Sequence, residues 1–326
     1  MPKVLITARP LGRVSTKPLA RLKEYGCDIV PNPYHGTTLN EEQMLELVPG
    51  VDGMIVGDDE ITGRVIRAAG SLKVISKHGV GTDRIDLAAA TQCGVVVTNV
   101  PGANKDSVAD FTFCLILALM RGLHLLHDRI RGGEWRSQTG HELRGKTLGV
   151  VGVGRIGKCV VARGAGFGMK ILGYDMVRDE EFARSYNLRY VSLDELLRAS
   201  DVVTLHVPLT GQTGSLLGDR ELAMMKSTAY LVNTARGGVV DEDALYAALK
   251  SGRIAGAALD VFAQEPPTES PLLSLPNVIA TPHAASHTYE AIEVVGLTAA
   301  ENLIDVLDGR RPRSVVNPEV YGGTGS

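Results

Sequence analysis

Three side chains in this sequence have the types and settings needed to bind a carboxylate and move a proton. Arg236 stands in Asn233-Thr234-Ala235-Arg236-Gly237-Gly238. Glu265 follows the run Gly256-Ala257-Ala258-Leu259-Asp260-Val261-Phe262, and His283 closes Thr281-Pro282-His283 eighteen residues later. Each lies just beyond an apolar run, where a loop begins. A guanidinium offers a planar fork of donors that matches a carboxylate and a neighbouring carbonyl oxygen; the bland alternative is a structural ion pair. His283 is the histidine placed to titrate near neutral pH. It would give a proton to a keto oxygen in reduction and take one from a hydroxyl in oxidation, unless it is a satisfied core histidine. Glu265 would hold the imidazole and favour its charged form, or else be a plain loop carboxylate. Pro266-Pro267 stiffen the segment after it.

A second constellation lies upstream. Gly152-Val153-Gly154-Arg155-Ile156-Gly157 follows the strand-like Leu148-Gly149-Val150-Val151, and Asp175 closes the next apolar run. A bare glycine fingerprint is weak, because a glycine-rich turn gives the same string. A strand before it and an acid about twenty residues on make it a dinucleotide site. Gly152 permits the tight turn, Gly154 lets backbone approach a pyrophosphate at a helix N-terminus, and Gly157 lets helix and strand pack closely. Asp175 would accept hydrogen bonds from both ribose hydroxyls of NAD, and a 2′-phosphate there would face a carboxylate. Arg178 tempers that preference. A third feature, Gly79-Val80-Gly81, could aim backbone N–H groups at a carboxylate or be a mere turn.

The elements that must position these residues alternate. Val4–Ile6, Met54–Val56, Val74-Ile75 and Val95–Val97 read as strands with helices between them, a parallel α/β unit. Asn99-Val100-Pro101-Gly102 breaks the pattern. One long helix is expected from about Ser107 to Arg131, capped by Asn104 or Asp106 and ended by Gly132-Gly133. Continuous apolar runs then recur at Thr147–Val151, Lys170–Tyr174, Val202–His206, Ala229–Asn233, Gly256–Asp260 and Val278–Ala280, as six buried parallel strands would. A last helix, Tyr289 to Leu307, cannot bury itself. It is expected to return to the first domain, leaving the second inserted. The tail from Tyr321 to Ser326 is expected to be disordered.

At 326 residues the chain is long enough for two domains with cores of their own. A net charge of −3 gives no field to draw nucleic acid or an anionic membrane. The cluster Arg310-Arg311-Pro312-Arg313 reads as a solvated end. Cys27, Cys93, Cys114 and Cys159 form no C-x-x-C pair, which suits free thiols in a reducing cytosol. The first residues read as a strand rather than a secretory leader, and the apolar stretch around Phe111 to Leu126 is too short and polar to span a bilayer. His78, His206 and His287 lack metal-ligand spacing, so no metal is expected.

Taken together, these blocks resemble the D-isomer-specific 2-hydroxyacid dehydrogenases, most closely the catalytic part of the phosphoglycerate dehydrogenase group. The resemblance runs most clearly from Val74 through Asn317. It includes Lys77-His78-Gly79-Val80-Gly81-Thr82-Asp83, the glycine fingerprint, His206-Val207-Pro208-Leu209-Thr210, Asn233 to Gly238, Ala258 to Phe262, Glu265-Pro266 and Pro282-His283. It implies an α/β fold of two doubly wound parallel-sheet domains: an NAD-binding Rossmann domain, 102–287, inserted into a discontinuous flavodoxin-like substrate domain, 1–101 and 288–326. It implies a dimeric enzyme with its active site in the interdomain cleft, and Arg236, Glu265 and His283 as the catalytic set. The cofactor contacts it implies are Val80, Gly152, Gly154, Arg155, Ile156, Gly157, Asp175, His206, Val207, Pro208, Thr213, Thr234, Ala235, Arg236, Asp260, His283 and Ala285. Those for substrate are Lys77, His78, Gly79, Val80, Asn104 and Arg236. A homodimer is expected through the long helix, whose Phe111, Phe113, Leu115, Ile116, Leu117, Leu119, Leu123, Leu125 and Leu126 occupy more than one face.

This sequence departs from the pattern at Gly57-Asp58-Asp59-Glu60, where phosphoglycerate-type enzymes carry an arginine for the substrate phosphate. Carboxylates there would repel a phosphate, unless Lys77 compensates. Feedback control by an amino acid bound to a regulatory domain is not expected. The expected function is hydride transfer between NAD and a small 2-hydroxy or 2-oxo acid, of the hydroxypyruvate or glyoxylate type, with D-3-phosphoglycerate as the alternative substrate. A non-catalytic NAD-sensing protein on the same fold would be favoured by loss of Glu265 or His283, and both are present. Formate dehydrogenases place Gln where this chain has Glu265.

Overall fold

The computed structural model describes residues 1–34 and 37–322. The chain divides into two compact units, Met1–Asn104 with His287–Ser326, and Lys105–Ser286.

The first unit alternates β1 (Lys3–Ile6), α1 (Lys17–Tyr25), β2 (Asp28–Val30), α2 (Glu41–Leu47), β3 (Gly53–Val56), α3 (Gly63–Ala69), β4 (Val74–Lys77), α4 (Leu87–Gln92) and β5 (Val96–Thr98). The second continues with α5 (Lys105–Arg121), α6 (Leu123–Arg131), β6 (Thr147–Val151), α7 (Arg155–Gly166), β7 (Lys170–Tyr174), α8 (Glu180–Tyr186), β8 (Leu188–Tyr190), α9 (Leu193–Ala199), β9 (Val202–Leu205), α10 (Asp219–Met224), β10 (Tyr230–Asn233), α11 (Glu242–Lys250), β11 (Gly256–Leu259) and β12 (Val278–Ala280). Then α12 (Tyr289–Leu307) belongs to the first unit, where it packs on α1, β3, β4 and β5.

All pairings between these strands are parallel. The five-stranded sheet has the order β2-β1-β3-β4-β5, and the seven-stranded sheet β12-β11-β10-β9-β6-β7-β8. These are the flavodoxin-like and Rossmann-like doubly wound orders, the latter extended by one strand. Each sheet has apolar side chains on both faces. In the first unit Met44, Val65 and Ile66 cover one face, and Leu22, Leu303 and Ile304 the other. In the second, Leu196, Leu222 and Leu245 lie on one face and Phe113, Ile116 and Val160 on the other. Parallel strands buried on both faces must be apolar at successive positions, which is why they read as unbroken runs.

Three expectations need correction. The seven-stranded sheet has a strand more than the six expected, since Leu188–Tyr190 pairs with β7; Asp28–Val30 was likewise not foreseen. Both are three-residue edge strands in which a charged residue, Asp28 or Arg189, leaves no unbroken apolar run. The single helix to Arg131 is two helices: Gly122 adopts φ 59° and the axes bend by 66°. α5 buries Phe113, Leu115, Ile116 and Leu119, whereas α6 has no buried residue and leaves Leu123 59% and Ile130 53% exposed. Finally, Pro318–Tyr321 forms a short 3-10 helix and the Arg311 guanidinium sits 5.1 Å from the Tyr321 ring centroid. The rest of that tail, 323–326, lies outside the described residues.

Candidate active site

The glycine turn joins β6 to α7 beside the point where the strand order reverses, between β6 and β9. Gly152 has φ 93°, and a Cβ there would sit 2.7 Å from the carbonyl carbon of His206, which follows β9. A Cβ on Gly157 would lie 2.0 Å from the Gly152 carbonyl oxygen. Glycine is therefore imposed at both by close backbone approach. A Cβ on Gly154 would meet nothing within 4 Å, and no side chain caps α7. The first N–H groups of that helix are left for an anion.

Asp175 follows β7 and closes on this turn. Its carboxylate accepts from the N–H of Val153 at 2.7 Å and of Val177 at 2.9 Å. Arg178 lies 5.7 Å from the Tyr190 ring centroid. A glycine turn held directly to an acid, beside an uncapped helix, fits the pyrophosphate and ribose of NAD.

His206 is withdrawn from solvent. Its Nε2 lies 2.9 Å from Thr204 Oγ1, its Nδ1 is buried with no partner, and burial pushes its pKa down to about 3. It is neutral at physiological pH. Thr213 Oγ1 donates to the Pro208 carbonyl at 2.5 Å and accepts from the Thr210 N–H at 2.8 Å, closing the loop after Val207.

Thr234, Ala235 and Arg236 leave the end of β10. Thr234 Oγ1 meets Thr112 Oγ1 of α5 at 3.0 Å, and Arg236 Nη1 donates to the Ala235 carbonyl at 2.7 Å. On the neighbouring strand, Asp260 is 1% exposed and accepts hydrogen bonds from Thr281, Ala284 and Ala285. His283 and Glu265 meet at 3.0 Å between Nδ1 and Oε2, both half-buried. Glu265 Oε1 also accepts from the Phe262 N–H at 3.1 Å. With Nδ1 held by the carboxylate, any proton exchanged with a ligand would pass through Nε2. Strand order places the residues after β9, β10, β11 and β12 on successive neighbours of one sheet edge.

In the first unit Lys77 ends β4, and the loop after it carries His78, Gly79 and Val80. Gly79 has φ 144°, and the N–H groups of Val80 and Gly81 have no hydrogen-bond partner among the described residues. This is the open arrangement of an anion nest. Lys77 is buried, with Nζ donating to the Gly57 carbonyl at 2.5 Å and to Asp58 at 2.6 Å. His78 packs beneath α12, its Nε2 buried without a partner, and desolvation lowers its pKa to about 4. The Asn104 Oδ1 is also buried and unpartnered, so it does not cap α5.

The acidic run needs a correction. Asp59 is 2% exposed and turned inward, accepting from Thr7 Oγ1, from the Leu39 N–H at 2.9 Å and from the Gly57 N–H at 3.0 Å. Asp58 is paired with Lys77. Neither is the free surface charge that simple repulsion of a phosphate requires, and the Lys77 ammonium is committed to the same pair. Sequence reasoning also passed over Asn233 as a site residue. Its signal was an Asn at a strand end three residues before the arginine, the setting of an Asx turn.

Taken as a whole, the seven-stranded unit is a dinucleotide-binding domain that carries a histidine–glutamate pair on the same sheet edge, the class of an NAD-dependent oxidoreductase. Residues 113–285 match the NAD binding domain of D-isomer specific 2-hydroxyacid dehydrogenases. The chain is 44% identical over 289 residues to a glyoxylate reductase of Korarchaeum cryptofilum, covering 86% of this chain and 87% of that protein. It is 46% identical over 285 residues to a D-3-phosphoglycerate dehydrogenase of Methanocaldococcus jannaschii, covering 86% of this chain and 54% of the relative, about half its length. The crystal structure of the TT0316 protein from Thermus thermophilus matches with a TM-score of 0.88 at 39% identity, over 96% of this chain and 99% of that one. The chain belongs to the D-isomer specific 2-hydroxyacid dehydrogenase family of NAD-dependent oxidoreductases.

Proposed function

We propose that this protein interconverts a small unphosphorylated 2-oxo acid and its D-2-hydroxy acid, as in hydroxypyruvate or glyoxylate reduction. The observation that carries the reading is the Glu265–His283 pair, 3.0 Å apart on the sheet edge that bears the glycine turn. Arg236 clasps the substrate carboxylate and keto oxygen through its forked donors. The backbone N–H groups around Gly79 and Val80 receive the carboxylate, with Lys77, His78 and Asn104 shaping that loop. His283 protonates the keto oxygen from Nε2 in reduction and takes the proton back in oxidation, while Glu265 orients the ring and stabilises its charged form. NADH supplies the hydride when bound.

Gly152, Gly154, Arg155, Ile156 and Gly157 would hold the pyrophosphate and Asp175 the adenosine ribose. His206, Val207, Pro208, Thr213, Thr234, Ala235, Asp260 and Ala285 would line the rest of the cofactor site, together with Val80. Asp175 makes NAD the preferred cofactor over NADP. Rejection of a phosphorylated substrate rests on cations rather than on repulsion: Lys77, at the end of β4, is already bound to Asp58 and Gly57. The 46% identity to a D-3-phosphoglycerate dehydrogenase favours the second reading, phosphoglycerate oxidation. Catalytic efficiencies for hydroxypyruvate, glyoxylate, pyruvate and phosphohydroxypyruvate decide between them. A strong preference for the phosphorylated acid would overturn the first.

We further propose a cytoplasmic homodimer. The exposed Leu123 and Ile130 of α6 and the 94% exposed Trp135 beyond it support the dimer, and four free cysteines suit a reducing compartment. Light scattering returning a monomer mass at micromolar concentration would reject the dimer. Fractionation placing the protein outside the cytoplasm would reject the location.

A further inference from the structure

The loops bearing Arg236 and His283 are each tied to a buried polar residue at the end of the strand before them. Asn233 is 1% exposed at the end of β10. Its Oδ1 accepts from the Ala235 N–H at 3.0 Å and its Nδ2 donates to the Arg236 carbonyl at 2.8 Å. One amide thus closes the turn on both sides of the arginine. Asp260, the residue after β11, does the same for the histidine loop. Its Oδ1 accepts from Thr281 Oγ1 at 2.6 Å and from the Ala284 N–H at 2.8 Å, and its Oδ2 from the Ala285 N–H at 2.9 Å. Its carbonyl accepts from the His283 N–H at 2.8 Å. Four hydrogen bonds therefore converge on one residue from the five-residue segment that holds His283. They hold that histidine at φ 53°, a left-handed conformation that a residue with a Cβ seldom adopts unaided.

The two anchors are in series. The Asp260 N–H donates to the Asn233 carbonyl at 2.9 Å. The loops also touch: a Cβ on Gly237 would lie 1.9 Å from the carbonyl carbon of Phe262, in the segment leading to Glu265.

We propose that Asn233 and Asp260 are positioning residues, a buried pair that fixes the Arg236 loop and the His283 loop relative to each other. The proposal rests on Arg236 and His283 acting as described above, and adds a role for Asp260 beyond lining the cofactor site. A carboxylate is required at 260 because all three groups facing it are donors. An amide there would turn an NH2 toward a donor. The reverse holds at 233, where one partner is a donor and the other an acceptor. Near-isosteric swaps at these sites are therefore wrong in hydrogen bonding while right in shape.

The test uses Asp260→Asn and Asn233→Asp in the full-length protein, each alone and in a second background. Removing a hydrogen bond to a charged group predicts roughly 10–100-fold. Asp260→Asn should lower kcat by that factor, a larger fall than any loss of NADH affinity read by fluorescence titration. In the His283→Ala background it should lower the residual kcat by less than about twofold, because an effect exerted through His283 vanishes with it. Asn233→Asp should raise KM for the 2-oxo acid, and should add little to Arg236→Ala.

Wild-type kcat in Asp260→Asn would overturn the proposal. So would a full-sized fall in the His283→Ala background, which would place the action of Asp260 elsewhere, as in direct cofactor contact. If Asp260→Asn does not fold, Thr281→Val removes one of the four hydrogen bonds at constant shape. It should lower kcat by a smaller factor, again only when His283 is present. Wild-type turnover in His283→Ala itself would instead sink the assignment of the acid–base group, so the two failures are distinct.

Discussion

At the C-terminal edge of the five-stranded sheet, Asp59 and Lys77 are used up in closing the fold, beside a Gly79 turn whose Val80 and Gly81 N–H groups stay open among the described residues. Asp59 collects donors from β1, the loop before α2 and its own loop, and Lys77 is bound by Asp58 and Gly57. Below that edge Ser76 donates to the Ala299 carbonyl at 2.8 Å, and Asn317 bonds Val97 and Val95 at 2.8 and 2.9 Å. At the corresponding edge of the seven-stranded sheet, buried or half-buried polar groups hold loops whose other side chains remain half-open. Asp175 organises the glycine turn, Asn233 the arginine loop and Asp260 the histidine loop. Two sheets of one architecture therefore differ in where their hydrogen bonds are aimed. The doubly wound fold supplies an edge, and the residue at each strand end decides whether its side chain closes the fold there or shapes the loop beside it.

The largest test of this contrast is His283→Ala. Proton transfer by a positioned side chain is worth roughly 10²–10⁴-fold, so turnover should fall by that factor while NADH titration stays normal. Wild-type turnover would remove the histidine from the chemistry.

Acid should act on both regions alike. His206 in the seven-stranded unit has its pKa pushed down by burial to about 3, and His78 in the five-stranded unit to about 4, by burial with Lys77 and His287 nearby. Both are neutral in the folded state, whereas an unfolded chain takes up their protons below about 6.5. Stability is thus fully present above about 6.5 and declines as pH falls, until about 4 for His78 and about 3 for His206. A tenfold change in proton affinity is about 1.4 kcal/mol, so by pH 4 each contributes a loss of roughly 3 kcal/mol at most. Urea titrations from about pH 7 to about pH 4 should show this slope, and His78→Gln or His206→Gln should flatten it. A slope unaltered by both variants would mean that neither histidine is held neutral.

Arg236→Lys keeps the charge and loses the fork. A charge-assisted hydrogen bond is worth roughly 1.5–3 kcal/mol, so kcat/KM for the 2-oxo acid should fall by about 10–100-fold. Near-normal kinetics would argue that the arginine loop serves the fold, as Lys77 does.

The smallest effect concerns the cofactor. Kinetics with both reduced cofactors should favour NADH over NADPH by about tenfold, as expected for a carboxylate facing the ribose. Arg178, on the Tyr190 ring, is the side chain that could soften this. Equal efficiencies would mean that the two backbone donors on Asp175 hold it away from the ribose.

Much of this was legible in the amino-acid string. β6 and β7 occupy the spans read from their apolar runs, because a strand buried on both faces must be apolar along its length; the half-exposed edge strand β12 also occupies its span. Tyr289–Leu307 was legible as a helix for the same reason of burial. The short edge strands β2 and β8 were not, since Asp28 and Arg189 leave them no unbroken apolar run of the kind Val278–Ala280 shows. Nor was the bend at Gly122, because a glycine within a helical pattern is tolerated as often as it breaks one.

At the level of the site, residue type and spacing by themselves determined the chemistry on offer: a glycine turn with its acid, a fork of donors, an imidazole and a carboxylate. Those are local properties, fixed by the covalent structure of the side chains and their place at strand ends. Tertiary structure alone decided which polar groups face inward. The sequence presents Asp58, Asp59 and Asp260 as equivalent carboxylates, yet one pairs with a lysine, one is buried under three donors, and one anchors the histidine loop. A carboxylate's role is set by which donors reach it, and those donors come from residues up to 52 positions away. Only the folded chain brings them within hydrogen-bonding distance.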